Sequence, residues 1–238
     1  MTMLKTYGLD VNGHFWDDDL KKMGWLGPRD ELINEQTAMW LILTTEETLS
    51  SPSYRYGLSV LTMSVQAVRD HGFPIILLHE GEIKSLENLP TPLQGAEVLQ
   101  ADNPSVGAKI VAAASMPRKK TEAEYRLDIH AMPQMGLWFE AGSAGAGWKG
   151  AMFGVCGGEI DAHGVGPAGK LPQKAVLEYP MKGLKLNFGE KEYTAWAVKN
   201  ELGEGLSYYA RVQGEPESIL LGPFSEGEEA DVYVLRIK

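Results

Sequence analysis

A chain of 238 residues, 44% of them apolar, is long enough to bury one large core or two smaller ones, which excludes a disordered chain. Its formal net charge of -10 is the opposite of the basic footprint that nucleic acid or an anionic membrane needs in its main partner. The single cysteine, Cys156, excludes an intramolecular disulfide and makes a reducing cytoplasm the expected compartment.

Residues 1–37 read as an irregular lead-in holding Trp16, the run Asp17-Asp18-Asp19 and Trp25, closed by a short helix from Pro28 to Glu35. Its opening, Met1-Thr2-Met3-Leu4-Lys5, reaches Tyr7, Gly8 and Asp10 before apolar residues accumulate, so no signal peptide is expected. Nowhere does the chain approach the roughly 20 apolar residues that span a bilayer.

Residues 38–133 carry α/β signals. The apolar run Met39 to Leu43 predicts a strand, and Ser51-Pro52 then supplies a helix cap with proline in the first turn. Leu58, Leu61, Val65 and Val68 recur at helical spacing, Gly72 and Pro74 stop the helix, and Ile75 to Leu78 predict a second strand. A βαβ unit follows, and runs this apolar belong to a small, mostly parallel sheet. Ala96 to Leu99 predict a third strand, and Asn103-Pro104 repeats the cap signature before a helix through Ile110 and Val111. Next comes the basic cluster Arg118-Lys119-Lys120, beside Glu122 and Glu124, which reads as a solvated turn. From Tyr125 the pattern alternates, with Tyr125, Leu127 and Ile129 against Arg126, Asp128 and His130, as in a half-buried strand.

Residues 134–238 read as β-rich and antiparallel. Strands are expected at Leu137 to Phe139, Ala151 to Val155, Ala175 to Tyr179, Leu184 to Phe188, Tyr193 to Val198, Leu206 to Val212, Ile219 to Leu221 and Val232 to Ile237, separated by Gly, Pro and Asn turns. Residues 136–169 hold 11 of the 27 glycines, which fits tight turns or a backbone that approaches a ligand closely. The acidic run from Glu226 to Asp231 reads as a solvated loop.

Open α/β sheets bind ligands beyond the carboxyl ends of their strands, so Thr44, Thr45 and Glu46 after the first strand, with His79 and Glu80 after the second, form one candidate ligand site. A second candidate is a divalent metal centre. In extended chain Asp128 and His130 share a face, as do Glu159, Asp161 and His163, and imidazoles with carboxylates bind zinc, manganese or iron. Asp128, His130, Asp161 and His163 would be ligands and Glu159 the general base of a metal-dependent hydrolase.

Phe153-Gly154-Val155-Cys156-Gly157-Gly158 resembles the strand-to-nucleophile elbow of class I glutamine amidotransferases, which implies a cysteine-dependent amidase with Cys156 as nucleophile. That family takes its base from a downstream histidine followed two residues later by glutamate, and the last histidine here is His163. Gly145-Ala146-Gly147-Trp148-Lys149-Gly150 satisfies G-x-G-x-x-G, but a strand follows where phosphate binding needs a helix, so a hairpin loop is expected. Tyr193, Trp196, Tyr208, Tyr209 and Tyr233 read as strand packing or as a carbohydrate- or protein-binding face. The leading expectation is a cytoplasmic binding or assembly protein, with a small molecule or a protein as partner and no chemistry of its own.

Overall fold

The computed structural model describes residues 2–81, 88–116, 121, 123–133, 135–174, 176–225 and 231–238. Arg118-Lys119-Lys120, Ala175 and residues 226–230 of the acidic run lie outside them. The chain divides into two compact units, Met1–Thr121 and Glu122–Lys238.

The first unit is α/β. Strands β1 (Trp40–Thr45), β2 (Ile75–Glu80) and β3 (Glu97–Gln100) form a parallel sheet in the order β1-β2-β3. Helices α1 (Thr2–Thr6), α2 (Arg29–Ile33), α3 (Glu46–Ser50), α4 (Pro52–Arg69) and α5 (Val106–Ser115) accompany it. The Ser51 hydroxyl accepts from the Tyr54 amide and Pro52 opens α4, so the local capping chemistry places this helix where the sequence puts it. Ile76 and Leu99 pack with Leu4 of α1 and with Val106 and Ile110 of α5. The unit is open at one margin, where the Leu43 side chain is 70% exposed on edge strand β1.

The second unit is wholly antiparallel. Strands β4 (Tyr125–Met132), β5 (Gly136–Ser143), β6 (Trp148–Cys156), β7 (Glu159–Pro167), β8 (Met181–Phe188), β9 (Lys191–Leu202), β10 (Leu206–Gln213), β11 (Ser218–Gly222) and β12 (Tyr233–Arg236) make two sheets, ordered β4-β5-β10-β7 and β12-β11-β6-β9-β8. Phe139 of β5 and Phe153 of β6 meet across the sheets at 5.2 Å. Phe139, Ala141, Tyr208 and Ala210 on one side and Ala151, Phe153, Val155 and Ile219 on the other build the core between them. Ile129, Phe139, Tyr208 and Ala210 point inward, so the alternate residues Asp128, His130, Trp138, Glu140, Tyr209 and Arg211 lie on the outer face of the four-stranded sheet.

Several expectations change. The loop carrying G-x-G-x-x-G is not a hairpin, because β5 and β6 belong to different sheets and residues 144–147 cross between them. Ser143 Oγ accepts from the Gly145 and Gly147 amides there and orders the crossing without a ladder. Residues 176–179 form no strand, because the Asn200 side chain takes the backbone bonds a ladder would, donating to Val176 O and accepting from Glu178 N. Residues 159–167, read only as an extended segment or a turn, form the full strand β7. Gly166 is needed within it, since a Cβ there would come within 2.6 Å of Pro172. Tyr193, Tyr208 and Tyr209 are buried, which makes them packing residues.

Candidate functional site

At the carboxyl ends of the parallel strands, Thr44 and His79 are register partners on one face of the sheet, and Thr45 and Glu80 are partners on the other. Thr44 Oγ1 lies 3.2 Å from His79 Nδ1, with both residues buried. The Thr45 side chain accepts from the Thr48 amide while Thr48 Oγ1 accepts from the Thr45 amide, a capping box that starts α3. Glu46 is the first residue of that helix, and Glu80 is exposed. The five therefore divide between two faces and a helix start. Strand order β1-β2-β3 also contains no reversal, so the crevice that doubly wound sheets open at a switch point does not arise among these strands.

The histidine- and carboxylate-bearing strands of the second unit do gather side chains, in a different set from the one the sequence suggests. Asp128 and Glu140 are register partners on β4 and β5, and His130 stands two residues along from Asp128 on the same face. One ligating atom from each of Asp128, His130 and Glu140 falls within 4.8 Å of the others. Glu140 is 4% exposed. Its Oε2 accepts from His130 Nε2 at 2.7 Å, and its Oε1 accepts from Gly169 N at 2.8 Å and from Ser207 Oγ at 2.7 Å. Burial pushes this carboxyl up, but the bonds from His130, Gly169 and Ser207, with the His130 charge, outweigh it and hold the group below its ordinary value. The segment after β7 supplies the cover. Tyr209 Oη donates to Pro167 O and accepts from Lys170 N, so residues 167–170 lie across Glu140 and Tyr209.

His163 and Asp161 go elsewhere. His163 pairs in register with Ala210 and shares its inward direction, with Nδ1 2.8 Å from Tyr208 Oη and its ring 4.8 Å from that of Trp196 on the facing sheet. Its Nε2 is buried without a partner among the described residues. Burial and the Lys182 charge lower its pKa to about 4, so it is neutral at pH 7. Asp161 is the extra residue of a β-bulge, since Arg211 pairs with Ala162 and Val212 with Ile160. It accepts from Arg211 Nε at 2.7 Å and from Gln213 Nε2 at 2.9 Å. Burial raises the Asp161 carboxyl, yet these two donors and the Arg211 charge bring it below its usual value. Glu159 pairs with Gln213, four residues along β10 from the Tyr209 that faces Glu140, roughly 13 Å at strand rise.

Cys156 ends β6 and is followed by a two-glycine turn into β7 rather than by the helix of a nucleophile elbow. It packs against the cluster of Met152, Tyr193, Ala195, Ala197 and Leu220.

Sequence reasoning missed Glu140, Trp138 and Arg211. Arg211 stacks over the Trp138 ring at 5.5 Å while holding Asp161, so these side chains form one ordered polar and aromatic patch. The signal for Glu140 is the alternation Leu137, Phe139, Ala141 against Trp138 and Glu140, which extends the strand past Phe139. No protein-family model, curated protein or solved structure matches this chain.

Proposed function

We propose that the protein is a binding or assembly protein without chemistry of its own, and that the outer face of the β4-β5-β10-β7 sheet is its contact surface. The observation that carries this reading is the Asp161–Arg211–Trp138 arrangement, in which a partly exposed guanidinium is fixed by a carboxylate on one side and an aromatic ring on the other. Trp, Tyr and Arg are the residue types that dominate binding energy at interfaces, and a side chain already ordered loses less entropy on binding. The dispersal of His130, His163, Asp161 and Glu159 over two faces and separate strand positions also favours binding over the hydrolase of the sequence expectation. A reducing cytoplasm belongs to the same reading, on the lone Cys156. Among the described residues no helix is long and apolar enough to cross a membrane.

The test is quantitative affinity capture from native cells with wild type, Arg211→Glu and a control, Lys185→Glu, on β8. A partner or small molecule retained by wild type and the control and lost with Arg211→Glu is the expected result. Identical retention by all three overturns the surface assignment, and ester or amide turnover that depends on Glu159 or Cys156 overturns the absence of chemistry.

A further inference from the structure

We propose that the protein forms a two-fold dimer in which β1 of one copy pairs antiparallel with β1 of a second, joining two three-stranded sheets into one continuous sheet. This goes beyond the contact surface proposed above, which lies on a different sheet, and it names the partner as a second copy of this chain.

The first observation is that β1 stands at a sheet edge with the sequence of an interior strand. Trp40-Leu41-Ile42-Leu43-Thr44-Thr45 holds no charge, proline or glycine, and its register with β2 runs without a bulge. Every other edge among the described strands carries a device that discourages pairing: Glu97 in β3, Asp128 in β4, the bulged Asp161 in β7, Lys185 in β8 and Arg236 in β12. β1 has none of these.

The second observation is what β1 turns outward. Trp40 N bonds Pro74 O, so Trp40, Ile42 and Thr44 bond toward β2 while Leu41 and Leu43 direct their amides and carbonyls away from it. Leu43 O accepts from Tyr54 Oη at 3.3 Å and keeps a second lone pair. Leu41 N, Leu41 O and Leu43 N have no partner among the described residues. Leu41 packs against the cluster of Leu4, Ile76 and Leu99, and Leu43, two residues on and on the same face, is 70% exposed.

Charge selects the copy as occupant. With Ile42 opposite the partner's Ile42, Leu41 and the partner's Leu43 exchange both backbone bonds, and Trp40 stands opposite the partner's Thr44. The nearest charge, Glu46, falls opposite Ala38, outside the strand. In a chain of net charge -10 this join opposes no like charges, whereas any other described edge strand of a copy would set a charged residue beside the apolar run. The leucines of both copies then cover one another on a shared face, and the two-fold closes without leaving β1 open.

The experiment is sedimentation velocity of the full-length protein over a concentration series, with amide exchange of wild type followed by NMR across the same series. Wild type is expected to dimerise, with the Leu41 and Leu43 amides protected in the dimer and exchanging freely on dilution. Leu43→Lys is expected to weaken the dimer at least about tenfold, the loss of one buried leucine per copy, and Lys185→Glu on the β8 edge to leave it unchanged. Circular dichroism checks that Leu43→Lys folds, and if it does not, the wild-type exchange data carry the test. Wild type that stays monomeric at every concentration overturns the second copy as occupant. A dimer without concentration-dependent protection at Leu41 and Leu43, or a folded Leu43→Lys that dimerises as tightly as wild type, overturns the β1 interface.

Discussion

His130 and His163 project from opposite faces of one sheet, His130 outward to Glu140 and His163 inward to Tyr208 and Trp196. The second is placed to make folding depend on pH in the mildly acidic range. Its folded pKa is lowered from 6.5 to about 4, so below pH 6.5 the unfolded chain takes up the proton first. Stability is therefore full above about pH 6.5 and declines as pH falls toward about 4, by roughly 1–3 kcal/mol in total for a partly shielded ring. Urea unfolding of wild type and His163→Gln across this range checks it. The stability advantage of wild type is expected to shrink steadily from pH 6.5 to 4, and a constant difference would remove His163 as the cause.

The contrast between these two histidines marks how far the sequence could be read. Ser51, Pro52 and the spacing of Leu58, Leu61 and Val65 act within one helix, so the βαβ unit and its caps are legible from neighbours in the chain. Thr45 and Thr48 carried a comparable local signal for α3, a reciprocal capping pair, although with Thr at the position usually held by Glu or Gln. The site is different in kind. Asp128 meets Glu140 only because β4 and β5 pair in one register, and register is a property of two strands together. In β7, Gly164 and Gly166 dilute the alternation, and the bulge at Asp161 breaks the rule that residues two apart share a face. That rule is what had grouped Asp161 with His163.

Removing the Glu140 side chain takes away the acceptor of three hydrogen bonds, from Gly169 N, Ser207 Oγ and His130 Nε2. Glu140→Ala is expected to destabilise the protein by about 3–5 kcal/mol, the range for breaking a buried charged pair from one side. Glu140→Gln keeps one carbonyl oxygen for Gly169 and Ser207 and is expected to cost less. Chemical denaturation of both variants at pH 7 separates the two, and equal losses would show that the carboxylate charge, rather than side-chain volume or the bonds from Gly169 and Ser207, sets the effect.

Cys156 sits at the end of β6 against Met152, Tyr193 and Leu220, and the chain continues into β7. Activated nucleophilic thiols sit at helix N-termini, and the helix is replaced here by a glycine turn. In the folded protein at pH 7, alkylation of Cys156 by iodoacetamide is expected to run slower than that of the same thiol in urea. A native rate above the unfolded one would instead mark an activated nucleophile and revive the amidase reading.

Gly57 lies in the middle of α4, where glycine is the poorest residue after proline, so a reason for it is required. The reason is Trp16. A Cβ at position 57 would come within 2.7 Å of Trp16 Cζ2, and the Trp16 ring also packs edge-on against Tyr54 at 5.2 Å. Gly57→Ala gains about 1 kcal/mol in helix propensity but forces the indole off the helix, an overpacking cost of about 1–3 kcal/mol. The net expectation is a destabilised protein with altered tryptophan fluorescence. In a Trp16→Ala background the clash is gone while the propensity gain remains, so there Gly57→Ala is expected to stabilise by up to about 1 kcal/mol. The change of sign between the two backgrounds, measured by urea unfolding, is the decisive result. The same sign in both would mean that Trp16 does not hold the lead-in on α4.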